Sequence, residues 1–217
     1  MPNFRLSDDL SFCLVDGRPI FLDVARDRYF SLTGQIERMF IDFASGQPCT
    51  PSEVDQMTAR GLLTDTPSAA GERLKRTPAA RSALEIGTLA RPTGSAIIGA
   101  FWHTYRARQH LKVKPLKDTL HDLVARRALE TERADERAIR EASIDFLSAR
   151  NLVPVDRCCL LDSIALLAFL NRRGFRADLV FAVTADPFAA HCWAQHNDIV
   201  LNDTVGNARA HTVIAVF

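Results

Sequence analysis

The spacing of hydrophobic positions changes period once between Met1 and Leu63. Phe12–Val15 and Pro19–Val24 are short apolar segments divided by the turn pair Asp16-Gly17. Tyr29, Phe30 and Leu32 follow Arg26-Asp27 as a third segment, so the pattern predicts a three-strand meander. From Gly34 to Ala44 the period lengthens. Ile36, Met39, Phe40 and Phe43 fall at i, i+3, i+4 and i+7, one face of a helix that Thr33 can cap and Gly46 can close. Thr50-Pro51-Ser52-Glu53 reads as a capping box with proline at the first helical position. It predicts a short helix that stops near Gly61, with Leu62-Leu63 docking behind it. Residues 64–80 contain Pro67, Gly71 and Pro78 among small polar residues and read as a linker.

Beyond Arg81 the pattern becomes helical over Ser95–Gln109, Leu116–Leu129 and Arg133–Arg150, the last with Ile139, Ala142 and Phe146 on its inner face. Asn151–Pro154 ends that helix, because the residue before a proline disfavours helical backbone. Cys159–Arg172 is apolar nearly all round, as a helix buried in a core would be, and Gly174 stops it. Ala177–Thr184, Ala190–His196 and Ile199–Leu201 read as strands. The expected fold class is α+β. Three segments are expected: a module over 1–63, a linker over 64–80 and a second domain over 81–217.

Composition changes this picture little. A chain of 217 residues has room for one large domain or two small ones. Its 27 basic and 26 acidic residues give a net charge of +1, which offers no electrostatic basis for binding nucleic acid. The start, MPNFRLSDDLSF, lacks the basic region and long apolar stretch of a signal peptide. The apolar runs Ala96–Trp102 and Ile164–Leu170 fall short of the roughly 20 residues that cross a bilayer. The expectation is a cytoplasmic protein without a membrane partner. Five cysteines, an odd number, are then free thiols in a reducing compartment.

Candidate chemistry converges on the stretch that follows Arg157. Cys159 opens the buried helix, where the positive end of the helix dipole and free N–H groups favour thiolate. His191 lies in a predicted strand, and Asp203 lies just past the strand after it. A nucleophile needs a base within reach and a third group to orient that base, and these three elements can supply them. Cys158 is an alternative nucleophile, one position further from the helix. Cys192, next to His191, points to the opposite strand face and reads as packing, as do Cys13 and Cys49. His103, His110, His121, His196 and His211 read as surface residues. There is no C-x-x-C, no H-x₃-H pair and no phosphate-cradling glycine motif, so neither a metal nor a cofactor is expected.

The motifs in this stretch also carry a likeness. Residues 157–166, RCCLLDSIAL, resemble the C-L-x-x-S-x-A-L helix of the B proteins of lasso-peptide biosynthesis, which are leader peptidases. Residues 174–183, GFRADLVFAV, resemble their G-x-x-A-x-L-V-x-G-V strand, with Ala182 in place of the usual glycine. Residues 187–193, PFAAHCW, are similar to P-F-x-A-H-A-W, with Cys192 in place of alanine, and 200–203, VLND, to the final v-x-N-D. Residues 14–46 are similar to the precursor-recognition element of modified-peptide pathways, although only the short stretch from Thr50 to Gly61 is available for its second helical region.

The resemblance implies a winged-helix-like recognition module of meander plus helices. Behind it would follow a papain- or transglutaminase-like domain with helices packed on a small antiparallel sheet. It implies Cys159 as nucleophile, His191 as base and acid, and Asp203 as orienter, with the backbone N–H of Cys159 as one oxyanion donor. It implies that Arg28, Tyr29, Phe30, Ser31 and Leu32 hold the leader of a precursor peptide as an added strand. The implied partners are that precursor and an ATP-dependent macrolactam synthetase. Two other readings stay open: a transglutaminase-like acyltransferase, and a non-catalytic chaperone that presents the precursor. The basic residues of 81–150, including Arg126-Arg127, read as a solvated face rather than a synthetase dock.

Overall fold

The computed structural model describes residues 4–65, 77–86, 91–127 and 135–217. Most of the expected linker therefore lies outside the described residues. So do the facing ends of the helices expected over Leu116–Leu129 and Arg133–Arg150, and the side chains of Arg126 and Arg127. The protein is mixed α+β and forms two compact units, Met1–Arg73 and Leu74–Phe217.

The first unit runs β1 (Arg5–Leu6), β2 (Leu10–Val15), β3 (Arg18–Asp23), β4 (Arg28–Ser31), α1 (Gln35–Ala44), α2 (Pro51–Ala59) and β5 (Leu63–Thr64). β2, β3 and β4 form the meander in that order, with β3 central. The Asp16-Gly17 pair takes positive φ at both residues (51° and 77°), the backbone of a tight hairpin turn. Val15 faces Arg18 across it. At the second turn the buried Asp23 carboxylate accepts bonds from the Arg26 backbone and guanidinium, both at 3.0 Å. Burial works against that charge, but Arg26 and Arg28 hold the carboxyl below its usual range. Phe21 lies at the heart of the core, stacked on Phe30 at 4.8 Å and edge-on to Phe40 at 4.7 Å. Met57, Leu62 and Leu63 complete this core.

The Thr50 capping box forms as expected. The Thr33 cap does not: Gly34 is the N-cap of α1 and no side chain satisfies it. Gly34 takes φ 69°, which bends the chain into the helix by backbone geometry alone. Leu63 and Thr64 pair with β1 as a two-stranded ribbon. Local pattern does not predict it, because each strand is too short to show alternation.

The second unit runs β6 (Arg81–Ser82), α3 (Ala83–Ile86), α4 (Gly94–Val113), α5 (Leu116–Arg127), α6 (Glu136–Arg150), α7 (Cys159–Asn171), β7 (Asp178–Ala185), β8 (Phe188–His196), β9 (Ile199–Val200), α8 (Val205–Arg209) and β10 (Thr212–Val216). The sheet order is β10-β7-β8-β9-β6. It is antiparallel except at its edge, where β6 runs parallel to β9, so the sheet is mixed rather than purely antiparallel. The helix α7 is the centre of the unit, with β7 and β8 on one side and α4, α5 and α6 on the other. That position explains its apolar circumference. Gly99 in α4 lets the two helices approach: a Cβ there would stand 2.7 Å from the Phe169 ring. A further core cluster of the sheet gathers Val180, Ala182, Trp193 and Val200 with Ala79 and Ala208.

β6, α3 and α8 are too short to be resolved as elements by sequence pattern, and β10, the five-residue strand Thr212–Val216, is not among the expected strands. His103 corrects its expectation as a surface residue. It is buried, with its ring edge-on to Phe169 at 6.2 Å, because α4 turns that face toward α7.

Candidate active site

Three elements of the second unit meet at Cys159. The thiol stands on the first residue of α7, behind Cys158, whose extended backbone (φ −144°, ψ 129°) makes it the N-cap. Cys158 is exposed and Cys159 is half-buried. The approach to this helix start is held by Arg150, which is only 1% exposed. Its Nε donates to Asp162 Oδ1 at 2.8 Å, Nη1 to the carbonyl of Val153 at 3.3 Å, and Nη2 to those of Val155 and Asp156 at 2.9 and 3.1 Å. One guanidinium thus ties the end of α6, the connecting loop and the first turn of α7. Burial raises the Asp162 carboxyl above its usual range despite Arg150.

β8 supplies the imidazole. It pairs with β7 along its length but with β9 only at Gln195 and His196, which leaves an open edge before them. On that edge the Ala194 N–H donates to Asn202 Oδ1 at 2.8 Å. The Cys192 backbone and thiol and the His191 ring are the groups that act on the Cys159 thiol and favour its charged form. Asn202 Nδ2 reaches across to Ser163 Oγ at 2.9 Å, one turn past Cys159 on α7. The serine and asparagine of the sequence motifs therefore pin the helix to the strand.

His191 Nε2 and Asp203 Oδ2 lie 2.5 Å apart, which leaves Nδ1 for Cys159. Asp203 is anchored on every side. Its Oδ1 accepts from the Thr204 N–H at 2.7 Å, its Oδ2 from Asn207 Nδ2 at 2.7 Å, and its carbonyl from Ser82 Oγ at 2.6 Å. Burial opposes its charge, but the bonds from His191, the Thr204 N–H and Asn207 keep the carboxyl below its usual range.

The electrostatics are those of an ion pair. Bonds from Cys192 and His191 hold the Cys159 thiol down to about 4, against burial that would raise it. Bonds to Asp203 and Cys159 push His191 up to about 9, against burial that would lower it. Between these values a thiolate faces an imidazolium. Cys192, by bonding to Cys159 and by burial, is pushed far above the usual thiol range and stays protonated.

Sequence pattern misses or misreads three neighbours. Cys192 is expected to pack away from His191 as a bystander. It is buried, yet it acts on the Cys159 thiol and its carbonyl accepts from Ser163 Oγ at 3.5 Å, because α7 packs on β8. Asn207 lies one helical turn after Asp203, and that spacing was its only signal. His211 is expected on the surface. It is half-buried, its ring 5.3 Å from that of His191, and its Nδ1 bonds to the Asn207 carbonyl at 2.9 Å. Among the described residues no group of His, Cys, Asp and Glu is arranged to hold a metal ion, and no helix is long and apolar enough to cross a membrane.

A thiol on a helix start, a strand-borne imidazole and a carboxylate behind it stand together on a helix-against-sheet scaffold, an arrangement able to supply a nucleophile, a base and an orienter for thiol acyl transfer or hydrolysis. The family model described as the Transglutaminase-like superfamily matches residues 103–216, more than half of the chain, and the chain belongs to that superfamily. The matched span contains Cys159, His191 and Asp203. The chain matches no curated protein and no solved structure.

Proposed function

We propose that this protein is a cysteine peptidase that removes the leader from a ribosomally made lasso-peptide precursor. The freed core α-amine would then pass to a separate ATP-dependent macrolactam synthetase. The observation that carries the hydrolytic reading is the contact of Cys159 with a His191 ring that is itself bound to Asp203. The choice of substrate rests on the sequence likeness of residues 157–203.

In this reading the Cys159 thiolate attacks the scissile carbonyl, and the N–H of Cys159 at the helix start donates to the oxyanion. The His191 imidazolium protonates the leaving amine, then takes a proton from the water that releases the acyl group. Asp203 holds the ring and its charge. The leader would add to the edge of the first unit's sheet. β4 lies at that edge, and Arg28–Ser31 with Leu32 beyond it offers extended backbone for pairing. Having recognition and cutting in one chain raises the local concentration of the scissile bond, to about the millimolar range for short flexible connections. The site of action would be the cytoplasm, where the thiols stay reduced.

Incubation of the chain with a lasso precursor, followed by mass spectrometry, tests the reading. Leader and core products that together gain one water support it. Transfer of the acyl group to an added amine would favour the acyltransferase. A Cys159→Ala variant that still cuts would refute the nucleophile. Asp203→Asn is expected to slow cleavage by about 10²-fold while leaving leader affinity unchanged.

A further inference from the structure

A separate cavity lies in the same unit, and Cys159 is not among the residues that line it. This cavity, of about 760 Å³, opens between α3, α6, the start of α4 and the chain after α7. Three guanidinium side chains line it, those of Arg91, Arg140 and Arg173. The two carboxylates on its wall are already engaged. Glu141 accepts from Arg137 Nε at 2.7 Å, and Asp145 accepts from the Thr93 N–H and hydroxyl, just before α4, at 2.8 and 2.6 Å. Asp145 offsets part of the Arg173 charge through space, while burial lowers the pKa of Arg173, whose guanidinium lies 3.6 Å over the Phe169 ring. Arg140 Nε is the telling atom. It is buried and has no hydrogen-bond partner among the described residues. A donor on a charged group that is buried without a partner is costly, so a fold that keeps one gains elsewhere.

The rest of the wall narrows the ligand. Ile86, Ile144 and Phe175 present apolar surface among the arginines. The volume falls in the range of about 300–1,000 Å³ that takes organic ligands, well beyond one inorganic anion. The wall is also joined to the candidate active site. α3, which contributes Ala83 and Ile86 to the cavity, carries Glu85, whose Oε1 accepts from the Val205 N–H at 3.2 Å. Ser82, just before it, holds the Asp203 carbonyl.

We infer that this arginine-lined cavity binds an acidic segment of the peptide substrate, with carboxylates meeting Arg91, Arg140 and Arg173 and apolar side chains resting on Ile86, Ile144 and Phe175. The inference rests on the peptidase reading for the identity of the peptide. Its test does not, since it reads binding and uses a chain whose thiol is removed.

The full chain carrying Cys159→Ala is titrated by calorimetry at low salt with acetyl-Glu-Leu-Glu-amide, acetyl-Gln-Leu-Gln-amide and inorganic phosphate. The glutamate peptide is expected to bind at least tenfold more tightly than the glutamine peptide. Its affinity is expected to fall at least tenfold with either Arg140→Met or Arg91→Met, and to fall as salt is raised. Equal binding of the two peptides, or unchanged affinity in both variants, overturns the inference. Phosphate binding as tightly as the glutamate peptide overturns it in favour of a small-anion site. A separate readout needs no ligand. Arg140→Met removes a buried donor that no described residue satisfies, so Tm of the free chain should hold or rise by a few degrees (about 2–4 °C is typical of a modest gain in a chain of this size). A fall of several degrees would mean that Arg140 serves the fold and not a ligand. Failure of precursor cleavage with peptide binding intact counts against the peptidase reading and leaves the cavity standing.

Discussion

The low pKa of the Cys159 thiol comes from neighbours that oppose its burial. The bonds from Cys192 and His191 stabilise thiolate, and the fixed His191–Asp203 contact keeps the imidazole charged. The sign of the pH dependence follows. Thiolate is present above about 4 and imidazolium below about 9. Cleavage is therefore expected to plateau between these values, falling on the acid side as the nucleophile is protonated and on the alkaline side as the leaving amine loses its proton source. Alkylation by iodoacetamide needs only the thiolate, so it should fall on the acid side alone. His191→Ala removes a bond and a positive charge. The midpoint of Cys159 alkylation should then move up toward about 8.5, the value of an ordinary thiol. An unmoved midpoint would show that His191 does not activate Cys159. Cys13 is buried, and burial with the nearby charges of Glu53 and Asp42 raises the Cys49 thiol, so both should label slowly at mildly acidic pH.

At the scale of elements, the start of α7 is positioned by a side chain from α6. Breaking a buried ion pair by removing one partner costs about 3–5 kcal/mol, because the other charge is left unpaired in a poor solvent for it. Arg150→Met is expected to cost that much in urea denaturation. Arg150→Met combined with Asp162→Leu should recover a good part of the loss, since both charges are then gone. A double variant no more stable than the single one would mean that the carbonyls of Val153, Val155 and Asp156, and not Asp162, are what Arg150 serves. Gly99 is the second device at this scale. Alanine normally stabilises a helix interior over glycine by about 1 kcal/mol. Here the added methyl meets the Phe169 ring, so Gly99→Ala is expected to destabilise by about 1–3 kcal/mol.

For the whole molecule, the proposed division of labour places recognition in Met1–Arg73 and chemistry in Leu74–Phe217. Hydrogen exchange of the intact Cys159→Ala chain tests it. Addition of a leader peptide should slow exchange at Tyr29–Ser31, where a new strand would satisfy the sheet edge. In the unaltered chain the same addition should leave the rate of Cys159 alkylation unchanged. Slowed exchange confined to the second unit would move recognition away from β4. Most of the long elements are legible in the sequence, because helical and strand periods are written in neighbouring residues. The three-strand meander, the Thr50 cap and the all-apolar α7 are cases. The short elements β6, α3 and α8 are not, since so few positions carry no period. Yet those elements supply Ser82 and Asn207, which hold Asp203, and Glu85, which holds the chain just after it. The residues proposed as nucleophile, base and orienter are legible as residue types at spacings compatible with helix, strand and following loop. Their meeting is a matter of packing. So are the Arg150 clamp, the turn of Cys192 from bystander to hydrogen-bond partner, and the gathering of Arg91, Arg140 and Arg173 around one cavity. Local pattern records what a residue does to its own helix or strand. Contacts between residues far apart in the chain arise only when α7 is buried between sheet and helices and the groups along it must find partners there.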